Sequence, residues 1–250
     1  MKLTVCLLTF NSEGLLREVL PPLVELADEL LVIDSGSTDA TVRICAGFGI
    51  APVQHPYSTH SDQMNYACSL ARNDWVLCMD SDEVLDPRTV AGIRALKAGP
   101  EPDAGRAFRL SRHWHVLGRE VHAMYPVSSP DYPVRLFNRT RVRFNGAPVD
   151  DKPFGFADTA VIPGRVRHDT FRTMDEVFQK LDAYTSRLAR RGEVSPSLLR
   201  ALPSGLVAFA KWYFYKGGWR DGRVGIVAAA YAGLYSVKKY YKAWALKRSA

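Results

Sequence analysis

The sequence predicts an α/β fold on a mostly parallel central sheet, extended at its carboxyl end by a basic helical region. Two observations carry this. Through the first hundred residues, short apolar runs alternate with stretches of helical periodicity, the β-α-β-α rhythm of a parallel sheet with crossover helices. One of these runs, Trp75–Met79, is apolar throughout, as a strand buried on both faces must be, and it ends in a cluster of acids.

In chain order, Leu3–Phe10 reads as a buried strand and Ser12–Ala27 as a helix disturbed by Pro21-Pro22. Leu30–Asp34 is a second strand. Thr38–Phe48 is a helix with Thr38 as its N-cap, and Ala51–Gln54 is a short strand. Ser61–Arg72 is a helix with Met64, Ala67, Cys68 and Ala71 on one face. After Trp75–Met79, Asp86-Pro87 opens another helix, with Asp as N-cap and proline at the first helical position. Ala107–Ser111, Pro133–Phe137 and Val142–Phe144 then read as strands joined by loops rich in Pro, Gly, His and Trp, an antiparallel extension. Thr173–Arg191 is an amphipathic helix on which Val177, Leu181, Tyr184 and Leu188 share a face.

The 250 residues, 47% of them apolar, suffice for a sizeable core. The net charge of +7 is unevenly spread. From Leu206 to Ala250 nine cations accompany one acid, Asp221, a net +8 that leaves the first 205 residues at about −1. Such a segment attracts a polyanion, either nucleic acid or an anionic membrane. Its two apolar blocks, Leu206–Tyr215 and Val224–Val237, interleave Trp and Tyr with Lys and Arg. Aromatic rings favour the headgroup level and long basic side chains snorkel to phosphates, so lipid fits better than a phosphate backbone. Each block is too short to span, and helices lying in the membrane interface are expected, with packing on the protein's own core as the alternative. Cys6, Cys45, Cys68 and Cys78 form no CxxC pair and are expected to be buried free thiols in a reducing compartment. The apolar run after Met1-Lys2 is broken at Asn11, too short for a signal peptide, so a cytoplasmic location is expected.

The chemistry is expected at three strand ends, because ligands of open α/β sheets bind outside the carboxyl ends of the strands. Asp80-Ser81-Asp82 closes the apolar strand, and residues two apart on an extended chain point the same way. Two carboxylates there repel each other unless a cation intervenes, and hard Mg²⁺ or Mn²⁺ is the natural counter-charge, able to bridge a diphosphate. Asp34-Ser-Gly-Ser-Thr-Asp39 follows the second strand, where Asp34 can accept hydrogen bonds from a base or ribose. Thr9-Phe-Asn-Ser-Glu13 follows the first. Each segment alone is also readable as an ordinary turn or cap, but three together form a constellation.

Those three segments, with Ala27–Asp39 and Asp74–Glu83 taken whole, resemble family 2 glycosyltransferases of the GT-A fold. Asp131-Tyr-Pro-Val-Arg-Leu-Phe-Asn138 and Trp219-Arg-Asp-Gly-Arg-Val-Gly225 resemble one branch, the bacterial lipopolysaccharide-core β-glucosyltransferases. The resemblance covers nearly the whole chain. It implies a UDP-sugar donor, with Thr9, Asn11, Glu13, Asp34, Gln63, Asn65, Asp80 and Ser81 binding it. A divalent metal would be held by Asp80, Asp82 and His168, and a lipid-linked saccharide would be the acceptor. It also implies a GT-A domain at 1–170, with a nucleotide-sugar half at 1–100 and an acceptor half at 101–170, followed by a membrane-associating region at 171–250. Inverting transfer needs a carboxylate base. The branch carries Val-His-Glu where this chain has Val149-Asp-Asp151, so the base is Asp151 or Asp150. Arg135 stands where an acceptor phosphate could be held, or as a solvated strand-edge arginine.

Two further readings compete. Met79-Asp-Ser-Asp-Glu-Val84 fits the DxD pattern of haloacid-dehalogenase-type phosphatases, with Asp80 as nucleophile, but leaves Asp34–Asp39 without a role. The departure at Val149-Asp-Asp151 also fits a catalytically impaired nucleotide-sugar-binding scaffold at the membrane. A Rossmann dehydrogenase fits less well still, since no GxGxxG follows an early strand.

Overall fold

The computed structural model describes residues 1–146, 152–192 and 194–249. The parallel half of the sheet comprises β1 (Leu3–Thr9), β2 (Glu29–Asp34), β3 (Val53–Gln54) and β4 (Trp75–Asp80). β2 and β4 flank β1, and β3 lies outside β2. The connecting helices are α1 (Leu16–Leu26), α2 (Thr41–Gly47) and α3 (His60–Leu70). Beyond β4 follow β5 (Glu83–Leu85), α4 (Pro87–Ala98), β6 (Arg106–Val116), β7 (Arg119–Glu120), β8 (Ala123–Met124), β9 (Val127–Ser128) and β10 (Val134–Asn138). Next come β11 (Arg143–Phe144), β12 (Pro153–Phe154) and β13 (Asp158–Phe171).

The main sheet runs β3-β2-β1-β4-β10-β6-β13-β5. It is mixed rather than mostly parallel: β10 joins β4 and β6 antiparallel, and β13 joins β5 antiparallel. The apolar strand β4 is interior, as its composition requires. Side chains alternate across the sheet. Leu3, Val5, Leu7, Trp75, Leu77 and Met79 enter one core with α1 and α4, while Cys6, Val76 and Cys78 enter another with Met64 and Ala67 of α3. The Cys6, Cys68 and Cys78 thiols meet there with their sulfurs within 4.8 Å, and all four cysteines are free.

Two helix expectations change. α1 continues through Pro21 and Pro22, because its buried face of Leu16, Val19, Leu20, Leu23 and Leu26 outweighs the lost backbone bonds. α2 starts at Thr41 instead of near Thr38, whose amide donates to Asn11 Oδ1.

The chain divides into two compact units, residues 1–112 with 132–168, and residues 113–131 with 169–250. The insertion of 113–131 in the second unit has no counterpart in a simple division near residue 170. That unit holds α5 (Met174–Arg190), α6 (Leu198–Ala210), a π-helical turn (Lys211–Tyr215), a 3₁₀ turn (Gly218–Asp221) and α7 (Gly222–Ser249). Its core joins Val116, Val121, Met124 and Phe171 to Val177 and Leu181 of α5 and Ala228 and Tyr231 of α7. Among the described residues, no helix is long and apolar enough to cross a membrane.

Candidate active site

The carboxyl ends of β2, β1 and β4 lie side by side, since Thr9 is in register with Asp34 and Leu8 with Asp80. The polar residues that close these strands therefore share one edge.

Asp34 is fully buried there. Thr9 Oγ1 donates to it at 2.9 Å, Ser37 Oγ at 2.6 Å and the Ser37 amide at 2.8 Å. Burial disfavours its charge, but the hydroxyl and amide of Ser37 and the hydroxyl of Thr9 outweigh that and hold the carboxyl below the usual Asp range. The turn works because Gly36 takes φ of +87°, where a Cβ would be strained. Asn11 and Glu13 stitch the loop after β1 to the loop after β2: Asn11 Oδ1 accepts from the Thr38 amide and Glu13 Oε2 from the Ala40 amide, both at 2.9 Å. Gln63 binds the same edge, its amide donating to Ser35 Oγ at 2.7 Å and to the His55 carbonyl at 3.0 Å. Asn65 points elsewhere: its side chain brackets the backbone of Phe144, donating to the carbonyl at 3.1 Å and accepting from the amide at 2.9 Å.

Around Asp80 the structure supplies counter-charges that the sequence reading sought in a metal. Arg135 Nη2 donates to Asp80 Oδ2 at 2.7 Å and His60 Nε2 meets Oδ1 at 2.8 Å. Burial opposes ionisation of Asp80, yet His60 and Arg135 hold its carboxyl well below the usual value. Arg135 also donates to Glu83, which is 1% exposed and receives Arg112 Nη1 at 2.9 Å. Arg135, 5% exposed, is therefore neither a solvated strand-edge residue nor a free cation at an acceptor site. Its guanidinium belongs to the carboxylate cluster, because β10 pairs directly with β4. Both Asp80 oxygens carry one such contact, and each keeps a further lone pair for a ligand.

Asp82 faces the other way, toward His168, with Oδ2 and Nε2 3.3 Å apart. The register of β13 on β5 sets His168 opposite Glu83 and so beside Asp82. An oxygen and an imidazole nitrogen converging in this way suit a hard or borderline divalent ion. Asp80 does not complete a set with them. Among the described residues, the three ligand atoms that gather within 4.8 Å are the thiols of Cys6, Cys68 and Cys78. Ser81 Oγ lies 2.7 Å from Ser12 Oγ, tying the loop after β4 to the loop after β1. Asp150 and Asp151 lie outside the described residues.

Sequence reasoning missed His60, Glu83 and Arg112. Glu83 adjoins the DxD segment, and its acidity was the available signal. His60 and Arg112 reach the cluster only through folding.

Residues 4–104 match the family described as glycosyl transferase family 2. A lipopolysaccharide core biosynthesis glycosyltransferase, LpsC of Rhizobium meliloti, is 25% identical over 265 residues, covering 99% of this chain and 94% of LpsC. An uncharacterised glycosyltransferase of Rickettsia typhi is 24% identical over 199 residues, covering 76% of this chain and 67% of the relative. The chain spans only 37% to 39% of three other Rickettsia glycosyltransferases that it matches. Among solved structures, glucosyl-3-phosphoglycerate synthase of Mycobacterium tuberculosis, in complex with phosphoglyceric acid, aligns with a TM-score of 0.47 at 21% identity, covering 70% of this chain and 74% of that one.

Proposed function

We propose that this chain, whose residues 4–104 match the family described as glycosyl transferase family 2, is an inverting transferase that moves a hexose from a UDP-sugar to a lipid-linked saccharide. The observation that carries the reading is the set of Asp34, Asp80 and Asp82 at the carboxyl ends of β2 and β4, the parallel strands that flank β1, with Asp82 opposed by His168. Glucose is the first choice of hexose, from the resemblance to the core β-glucosyltransferases. The acceptor class follows the full-length similarity to a lipopolysaccharide core enzyme, with an inner-core saccharide as the first candidate. The place of action is the cytoplasmic face of the bacterial inner membrane, reached peripherally through the C-terminal region.

In this reading Asp34 receives the uracil or ribose from a site already ordered by Thr9 and Ser37. Asp80 is held ionised by His60 and Arg135 and accepts from the ribose. Asp82 and His168 are the residues that would hold Mg²⁺ or Mn²⁺, which when bound would supply positive charge for a departing diphosphate. Asp151, or Asp150 beside it, takes the proton of the acceptor hydroxyl as that oxygen attacks the anomeric carbon.

Calorimetric titration of UDP and several UDP-sugars, with and without Mn²⁺, tests the donor site. Metal-dependent binding that Asp82→Asn abolishes is expected, and absence of binding under every condition overturns the reading. Asp151→Asn is expected to lower turnover by about 10²–10⁴-fold while UDP binding is kept. Unchanged turnover in both Asp151→Asn and Asp150→Asn removes the base from this segment.

A further inference from the structure

In the second unit, helix α6 turns its bulky apolar residues outward and its small residues inward. Leu199, Leu202 and Leu206 recur at the three- and four-residue spacing of one helix face, Val207 adjoins them, and all four are exposed, Leu199 at 91% and Leu206 at 72%. The opposite face carries Ala201 and Gly205, both buried. Gly205 lies so close to α7 that a Cβ would meet Val237 Cγ2 at 2.5 Å and the Gly233 carbonyl at 3.1 Å. A helix that faces water shows the reverse arrangement, whereas small residues between helices and large apolar ones outside is the pattern of packing in lipid.

The exposed face continues through Phe214, Tyr215 and Trp219. From Leu198 to Arg220 there is no carboxylate, while Arg200, Lys211, Lys216 and Arg220 are present. None of these four meets a carboxylate among the described residues. Lys216 and Arg220 instead lie over the rings of Trp212 and Trp219. The basic residues of α7 differ: Lys238 and Lys242 are both bonded to Asp182 of α5.

We propose that the outer face of α6, with the aromatic turn that follows it, is the surface on which this protein docks on an anionic phospholipid bilayer, α6 lying in the plane of the interface. Leucines enter the acyl boundary, Tyr215 and Trp219 sit at the headgroups, and the flanking cations meet lipid phosphates. Like charges along the rim disfavour a second copy as the occupant. The proposal deepens the membrane part of the function above and narrows it: the basic segment as a whole is not the contact, and the Asp182-bound lysines of α7 are left out.

The test is flotation of the full chain with phosphatidylcholine vesicles and with vesicles of equal parts phosphatidylcholine and phosphatidylglycerol. The wild type is expected to float with the anionic vesicles alone, with a blue shift in tryptophan emission. The double variant Leu202→Glu/Leu206→Glu loses partition by about tenfold or more, since two apolar side chains that enter the acyl boundary become charged. Lys238→Ala binds as the wild type does. Thermal unfolding of each variant verifies that it is folded. Equal binding to neutral vesicles, no binding at all, or undiminished binding by the double variant overturns the proposal. So does a wild-type dimer that the double variant converts to monomer without any vesicle partition. Titration of UDP without vesicles is measured beside it, so failure here and failure of the donor site are told apart.

Discussion

Glu83 gathers two arginines at a carboxylate that folding removes from water. Its carboxylate is buried and receives both Arg112 and Arg135. Removing one partner of such a cluster leaves a charge in a poorly solvated place. Glu83→Gln is expected to cost about 3–5 kcal/mol, read as a lower urea midpoint at neutral pH. A second expectation concerns acid. Because Asp34 ionises more readily folded than unfolded, it contributes stability that is complete above the ordinary Asp value, about pH 4, and is lost as pH falls through the folded value. Asp34→Asn should therefore show lower stability at neutral pH and a shallower loss below about pH 4, followed by circular dichroism. An unchanged acid transition in this variant would assign the acid sensitivity to other carboxylates. Asp34 was legible because it ends an apolar run and precedes a glycine turn. Its partners Thr9 and Ser37 were within reach of the same motifs, whereas Arg135 was misplaced because nothing local says which strand β10 adjoins.

At the scale of elements, local chemistry was read correctly where it acts alone. Asp86 caps α4 through the Thr89 amide at 2.7 Å, with Pro87 at the start of the helix, as the dipeptide implies. Asp86→Ala should destabilise by about 1 kcal/mol, seen as a melting point lower by a few degrees. Thr173 likewise caps α5 through the Glu176 amide. Local chemistry failed where a neighbouring loop competes. Thr38 has the side chain of a cap, but its amide is bonded to Asn11 and the helix begins three residues later. Pro21 and Pro22 should break a helix, yet the apolar stripe of α1 keeps it intact against the sheet.

At the scale of the whole molecule, charge is partitioned, with a near-neutral first 205 residues and a C-terminal segment of +8. Exposed charges are screened by salt over about 10 Å at 0.1 M. Binding to anionic vesicles is thus expected to weaken as salt rises, while UDP binding at the buried and half-buried strand-end carboxylates changes less; equal salt dependence of the two would contradict this partition. By itself the sequence determined the alternation of strands and helices, the interior place of Trp75–Asp80, the acidic strand ends and the basic C-terminal segment. Each of these is a local property, set by hydrophobic period, cap or composition. Only the tertiary structure decided that the sheet turns antiparallel beyond β4, that Arg135 and His60 neutralise Asp80, that His168 meets Asp82, and that α6 exposes its leucines. These depend on strand order, on the register of β13 against β5, and on the packing of α6 against α7. They are contacts between residues far apart in sequence, which no local pattern encodes.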